Sequence, residues 1–378
     1  MNPKTFFLLA GEASGDVHGA NLMKSILALH PETKFVGVGG PHMRALGMEC
    51  FIEAEKLSVI GLVEVLKNIS FFKKVLGDLE QAMIERKVDA FIPIDFPDFN
   101  IRLAKKVKKQ SIPIIYYICP QVWAWRRGRI PLIENTMDVL LTIFPFEAQY
   151  FNSQKMKVEF IGHPLCDEVP TGTSPETPPE GEGHLVIMPG SRHSEISHHM
   201  PTISSFCKAF HQKYPKVKIT IPCAQTLKKE DLLTYFEGQM TGTFAEQFSI
   251  ADPGQSTEVL NQSHAALIAS GTSTLQGALC NIPLALFYRL HPFTFWLGKK
   301  LIKLKYVGLA NLVADREVCS EYLQDDMSVE NLTLESEKLL WDQKARAKVF
   351  SDYSEIHEKL GGPGASSRAA NIIFDFLK

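Results

Sequence analysis

One pattern constrains the fold of this chain more than any other. Short apolar runs alternate with longer amphipathic stretches, and the alternation is run through twice. The runs at 5–10, 35–38, 90–94, 114–118, 139–143 and 158–161 are mostly apolar along their length, which is how strands buried on both faces read. Helical spacing fills the gaps at 19–30, 71–86 and 99–109. Such alternation predicts a parallel sheet covered by helices over residues 1–165. The segment 166–183, with four prolines and three glycines among acidic residues, then reads as a flexible linker. New runs at 184–188, 218–222, 248–251, 265–269 and 284–288 predict a second domain over 184–345. The tail 346–378 is helical in pattern, broken at 361–364, and is expected to pack back on the first domain. The prediction is an α/β protein of two Rossmann-like, doubly wound parallel-sheet domains facing across a cleft. Ligands of such sheets sit beyond the carboxyl ends of the strands, so the chemistry belongs in the loops that follow strands.

Composition narrows the partners. The 378 residues carry a net charge of -2, so the chain as a whole is drawn neither to nucleic acid nor to membrane. Locally the picture differs: between Phe99 and Pro131 there are eight Lys and Arg and no Asp or Glu, which predicts basic surface. Seven scattered cysteines without a C-x-x-C point to reduced thiols rather than a zinc site or disulfide frame, as in a cytoplasmic protein. The apolar run at 6–10 is too short for a signal peptide, and no stretch reaches the roughly 18 apolar residues of a membrane span.

Four loops after predicted strands are chemically distinctive. The first is Gly11-Glu12-Ala13-Ser14-Gly15-Asp16, a turn of small residues that lets backbone amides approach a ligand at a helix N-terminus. Its plainer alternative is a strand-to-helix turn with Asp16 near the cap. A G-x-G-x-x-G fingerprint is missing here, which disfavours a dinucleotide cofactor. In the second half, Gly190, Ser191 and Arg192 end one strand. Ser270, Gly271, Thr272 and Ser273, with Gln276 a turn later, end another. Either loop alone reads as a helix cap. Together, in matching places of one domain, they predict a diphosphate seat of amides, hydroxyls and a guanidinium, with no metal. His193, His198 and His199 read as the exposed start of a helix rather than as metal ligands. The fourth loop holds Asp95, directly at the end of the strand 90–94, and Asp98, placed as N-cap of the helix 99–109. One aspartate is chemical and the other structural, and spacing alone settles the order only weakly, in favour of Asp95 as the chemical one.

Three further stretches are unusual. Trp123, Trp125, Arg126, Arg127 and Arg129 follow a strand and suit a sugar, a base or an acidic head group. The stretch 57–79 has helical spacing with apolar residues spilling onto other faces, among them Leu62, Val63, Leu66, Ile69, Phe71 and Phe72. It reads either as a well-buried helix or as a lipid-contacting one. The run 291–306, with Phe293, Trp296 and four lysines, is similar.

At these residues the chain resembles the lipid-A-disaccharide synthases, inverting glycosyltransferases of the GT-B fold (family 19). The motifs are GEASGD (11–16), GVGGPHM (37–43), IDFPDFN (94–100), PQVWAWR (120–126), FPFE (144–147), FIGHPL (160–165), PGSR (189–192), ASGTSTLQ (269–276), PFTFW (292–296) and NLVADRE (311–317), in family order. The resemblance implies that UDP-2,3-diacylglucosamine donates its sugar to the 6-hydroxyl of 2,3-diacylglucosamine 1-phosphate. The products are a β-1,6-linked disaccharide 1-phosphate and UDP. It implies Asp95 as general base and the 190–192 and 270–276 loops as UDP site. It places Gly11, Glu12, Ser14, Gly15, Asp16, Trp123, Arg126, Asn311, Arg316 and Glu317 in the donor and acceptor cleft. Leu62, Val63, Leu66, Ile69, Phe71, Phe72, Phe293 and Trp296 would meet acyl chains. It further implies no cofactor, no nucleic acid, and peripheral association with the cytoplasmic face of the inner membrane of a Gram-negative-type bacterium; a homodimer stays open. The family usually carries Glu where this chain has Gln276, the position expected at the ribose hydroxyls, and a small hydroxyl residue where it has Cys119. Other UDP-sugar enzymes of the same fold would share the UDP loops but lack the WAWR and IDFPDFN stretches.

Overall fold

The computed structural model describes residues 3–53, 69–292, 294–296 and 304–378. Two compact units emerge, Met1–Asp167 with Leu360–Lys378, and Glu168–Lys359. The first holds seven strands: β1 (Thr5–Ala10), β2 (Lys34–Gly39), β3 (Glu49–Glu53), β4 (Ala90–Ile94), β5 (Ile115–Tyr117), β6 (Val139–Thr142) and β7 (Lys157–Phe160). They pair in the order β3-β2-β1-β4-β5-β6-β7, all parallel. The second unit holds β8 (Glu182–Met188), β9 (Lys216–Pro222), β10 (Phe248–Ala251), β11 (Ala265–Ala269), β12 (Leu284–Tyr288) and β13 (Glu321–Leu323). These pair as β10-β9-β8-β11-β12-β13, again all parallel.

The apolar runs explain the sheets. Phe6 to Ala10, Leu140, Leu141, Leu185 to Ile187 and Ala265 to Ile268 are buried outright, because helices cover both faces of a parallel sheet. The helix Ala13–Leu29 turns Leu22, Met23 and Ile26 into the first core, as its spacing requires. Strands β3 and β13 escaped the sequence reading: they are short edge strands of mixed polarity, Glu-Cys-Phe-Ile-Glu and Glu-Tyr-Leu.

Two expectations need correction. The tail does not return to the first unit as a whole: the helix Gln343–Lys359 belongs to the second, and only the segment from Leu360 onward joins the first. The cause is Arg346, buried in the second unit, whose guanidinium donates to the carbonyls of His264 (2.7 Å), Leu339 (2.6 Å), Pro175 (2.8 Å) and Glu176 (3.2 Å). The same bonds correct the flexible linker. Together with Asn281 Nδ2 donating to Gly172 O (2.7 Å) and Gly172 N donating to Leu279 O (3.0 Å), they strap residues 172–176 to the second unit. The last helix, Ala365–Phe376, closes the first unit: Phe374 meets Phe6 edge-on and the His30 ring at 3.8 Å, and Arg368 Nε donates to Ile161 O.

Candidate active site

Each sheet has one place where strand order reverses, between β1 and β4 and between β8 and β11. At such a switch point the connections leave in opposite directions and open a crevice beyond the carboxyl ends. Gly11 and Asp95 follow β1 and β4; Gly190 and Ser270 follow β8 and β11.

In the first unit the switch point is a strained turn. Asp95 and Phe96 both take left-handed backbone, φ 43° and 48°, a conformation that costs a non-glycine residue of order 1 kcal/mol or more. Gly11 makes room for it: a Cβ there would lie 2.3 Å from the Phe96 ring. Burial pushes the Asp95 carboxyl up to about 6, with the nearby negative charge of Glu12 adding to the effect and the Phe96 amide and His18 opposing it. A carboxylate poised there takes a proton near neutral pH far better than an ordinary one.

Asp98 is not the helix cap. The helix runs Pro97–Val107, with Phe96 at its N-cap and Pro97 in the first turn, where a missing N–H costs nothing. Asp98 instead receives Arg126 Nη1 at 2.9 and 3.1 Å, and Arg129 Nη2 as well. Burial would raise its pKa, but the two guanidiniums outweigh that and hold it low. The expected basic surface is accordingly muted: Lys106 pairs with Glu80 and Lys108 with Asp138, besides the two arginines on Asp98. Trp123 is likewise structural. It is 1% exposed, donates through Nε1 to Glu147 Oε1 at 2.9 Å, and packs on Phe146 and Tyr150. Glu147 also accepts the amides of Ile143 (2.9 Å) and Phe144 (3.0 Å); burial nevertheless carries its carboxyl up to about 7. Asp16, 1% exposed, takes the amides of Gly40 (2.9 Å), His42 (2.9 Å) and Met43 (3.0 Å) and so caps the helix Pro41–Ala45. It frames the site, and Glu12, Ala13 and Ser14 are exposed in that turn, with Gly15 buried behind them.

In the second unit the switch point is a pocket of about 410 Å³. Gly190, Ser191, Arg192, Ser270, Gly271, Thr272, Ser273 and Gln276 all line it, joined by Gln225, Ser256 and Glu195, which the sequence reading missed. Gly271, with φ 153°, precedes the helix Thr272–Leu279, whose first amides have no carbonyl partner within their own helix. Glu195 accepts the Ser191 amide (3.0 Å), the Arg192 amide (3.3 Å) and Arg192 Nη1 (2.8 Å). Burial works to raise its pKa, and these donors bring it down instead. The signal was legible as an acidic residue three positions into the helix after Arg192. His199 is buried; with Nδ1 donating to Pro189 O (2.7 Å) and Nε2 accepting the Arg289 amide (3.0 Å), both ring nitrogens are used within the fold.

The lipid-A-disaccharide synthetase family model matches residues 6–374. A lipid-A-disaccharide synthase of Pseudomonas putida is 39% identical over 376 residues, covering 98% of both chains. One of Myxococcus xanthus is 35% identical, covering 100% of this chain and 98% of its own. The chain belongs to the lipid-A-disaccharide synthetase family. Among solved structures, the glycotransferase of kitacinnamycin superposes with a TM-score of 0.66 at 14% identity, covering 100% of both chains. A UDP-GlcNAc 2-epimerase from Neisseria meningitidis bound to UDP-GlcNAc does so at 0.58 and 12%, covering 100% and 99%. These distant likenesses show the GT-B fold. Members of the lipid-A-disaccharide synthetase family are glycosyltransferases of lipid A biosynthesis, and this chain is one of them.

Several positions that the family resemblance placed at the site also make bonds within the fold. Asn311 is buried; its Nδ2 donates to Cys319 O and Glu321 Oε1 (both 2.8 Å), and its Oδ1 accepts the amides of Val318 (2.8 Å) and Cys319 (3.0 Å). Arg316 pairs with Asp352 at 3.1 Å and with Glu355, while Glu317 is exposed. Gln276 donates through Nε2 to Ser256 Oγ (3.1 Å) and Thr257 Oγ1 (2.9 Å). Of the acyl-contact positions, Leu62, Val63, Leu66 and Phe293 lie outside the described residues, as do the side chains of Ile69, Phe71 and Phe72. Trp296 is 52% exposed.

Proposed function

We propose that this lipid A glycosyltransferase joins UDP-2,3-diacylglucosamine to 2,3-diacylglucosamine 1-phosphate, with Asp95 as the base. The Asp95 carboxylate takes the proton of the acceptor 6-hydroxyl. That oxygen bonds to the anomeric carbon of the donor, the bond from that carbon to the diphosphate oxygen breaks with its electron pair, and UDP leaves. Attack opposite the leaving group inverts the anomeric centre, giving the β-1,6 linkage. The observation that carries the reading is the half-buried Asp95 carboxyl, raised to about 6, on a strained turn at a sheet switch point.

The pocket of the second unit suits the departing UDP. Its Arg192 guanidinium, helix-start amides and hydroxyls are donors to an anion and need no bridging metal for that task. Gln276 is assigned to the ribose, with its Nε2 held by Ser256 and Thr257 and its carbonyl offered to a sugar hydroxyl. Peripheral attachment to the cytoplasmic membrane face follows from acylated substrates. No helix among the described residues is long and apolar enough to cross a membrane. The test incubates purified protein with both acylated glucosamines, with and without detergent and a metal chelator. Stoichiometric UDP and disaccharide phosphate, unchanged by chelation, are expected. Release of UDP without disaccharide, or neither product, overturns the reading.

A further inference from the structure

The strained Asp95–Phe96 turn must be held by something, and what holds it is buried. The main-chain carbonyl of Asp95 accepts two side-chain hydrogen bonds, from Tyr116 OH at 2.6 Å and from Asn100 Nδ2 at 2.7 Å. Tyr116 stands on β5 and Asn100 on the helix that follows the turn, and both are 0% exposed. The Asn100 amide also reaches Ile94 O (3.3 Å), the last carbonyl of β4, and Leu9 O (3.4 Å), the last but one of β1, on either side of the switch point. Asp95 N in turn donates to Tyr117 O at 3.2 Å.

Asn100 shows what the arrangement is for. Its Oδ1 is buried with no hydrogen-bond partner among the described residues. An orphaned buried acceptor is unfavourable and calls for an explanation. Turning the amide over would press that oxygen against three carbonyl oxygens, so the chemistry fixes the orientation. The site keeps an unsatisfied acceptor in order to present two N–H bonds to the carbonyls around Asp95.

We infer that Tyr116 and Asn100 are positioning residues for the Asp95 carboxylate. By gripping the Asp95 carbonyl from two sides they hold the left-handed turn, and with it the direction in which the carboxylate points. The inference rests on the reading of Asp95 as the base. Neither residue reaches substrate: both act through the Asp95 backbone.

The experiment is a double-mutant cycle on the full-length enzyme. Tyr116→Phe removes one oxygen and keeps the ring, so the fold is expected to survive with a thermal midpoint close to wild type. Its kcat should fall about tenfold or more while the donor KM stays within twofold, since misdirection of a base costs turnover rather than binding. Asn100→Asp, which exchanges the donors for a carboxylate of the same shape, should fall further. The deciding arm adds Tyr116→Phe to Asp95→Ala. With no carboxylate to aim, the residual rate should not drop again. An unchanged kcat in Tyr116→Phe, or the same loss in both backgrounds, overturns the positioning role. Full activity in Asp95→Ala is a different result: it removes the base itself and takes the inference with it.

Discussion

The two switch points solve the same topological problem with opposite materials. In the first unit the left-handed backbone is carried by Asp95 and Phe96, and buried side chains of two neighbouring elements pin it. In the second, positive φ falls on Gly190 and Gly271: beside Gly190 lies the buried Glu195 side chain, while a Cβ at Gly271 would meet nothing within 4 Å. The difference follows the proposed chemistry. Moving a proton needs one side-chain atom in a fixed place, so strain is accepted and locked in. Holding a diphosphate needs many weak donors, so the backbone itself must come forward, and glycine permits that without strain.

That contrast can be broken most sharply at Asp95. Asp95→Asn should lower kcat by roughly a thousandfold, and kcat/KM of the native enzyme should decline as pH falls through about 6, where the carboxyl takes up its proton. The same substitution should stabilise the protein. A carboxyl whose folded pKa lies above the ordinary aspartate value favours the folded state below that ordinary value, and this contribution is lost as pH rises through about 6. Melting curves should therefore show Asp95→Asn above wild type at pH 7 and the gap closing by pH 4. A base that is inactive when replaced but adds no stability on removal would mean that the burial of its charge has been misjudged. Next in size is Arg192→Ala, expected to lower kcat/KM about a hundredfold and to weaken UDP binding in calorimetry. An unmoved UDP affinity would place the diphosphate elsewhere.

Asp98→Asn tests whether the clamp on Arg126 and Arg129 belongs to the frame or to the chemistry. About 0.5–1 kcal/mol of stability should be lost at pH 7, since the partners are partly exposed, with kcat within about fivefold. The sign is opposite to that of Asp95: the lowered pKa makes the Asp98 contribution present at neutral pH and lost as pH falls through its depressed folded value. Urea titrations at neutral and acid pH distinguish the two. The smallest effect is expected from Gln276→Glu. The new carboxylate accepts from Ser256 and Thr257 instead of donating to them, and donor KM should move by no more than about fivefold. A larger shift would show that the ribose contact, rather than the diphosphate, dominates the second switch point.

Much of this was readable in the residues, for reasons that can be named. The strands flanking both switch points are apolar and buried on both faces, so β1, β4, β8 and β11 announced themselves, and the loops after them could be placed. The pocket of the second unit was legible because its two main loops follow strands that are neighbours in the sheet. Roles set by distant partners were not. Asp98 looked like a cap until Arg126 and Arg129, 28 and 31 residues on, proved to hold it. Asp16 works on amides 24 to 27 residues away, in the Gly-Pro-His-Met turn that follows β2. Trp123 looked like a sugar platform because the buried carboxylate that receives its indole N–H, Glu147, belongs to a separate motif.

The helix Ala365–Phe376 has one more consequence, in the order of synthesis. Arg368 and Ile161 bond across 207 residues of sequence, and Tyr117 OH reaches Ser366 Oγ across 249. A ribosome releases the whole second unit before it supplies the helix that finishes the first. The sheet bearing the Asp95 turn therefore waits, with Phe6 and its neighbours uncovered, until the second sheet has been made. A nascent chain of this kind is exposed to aggregation and to chaperones longest at the unit it begins first.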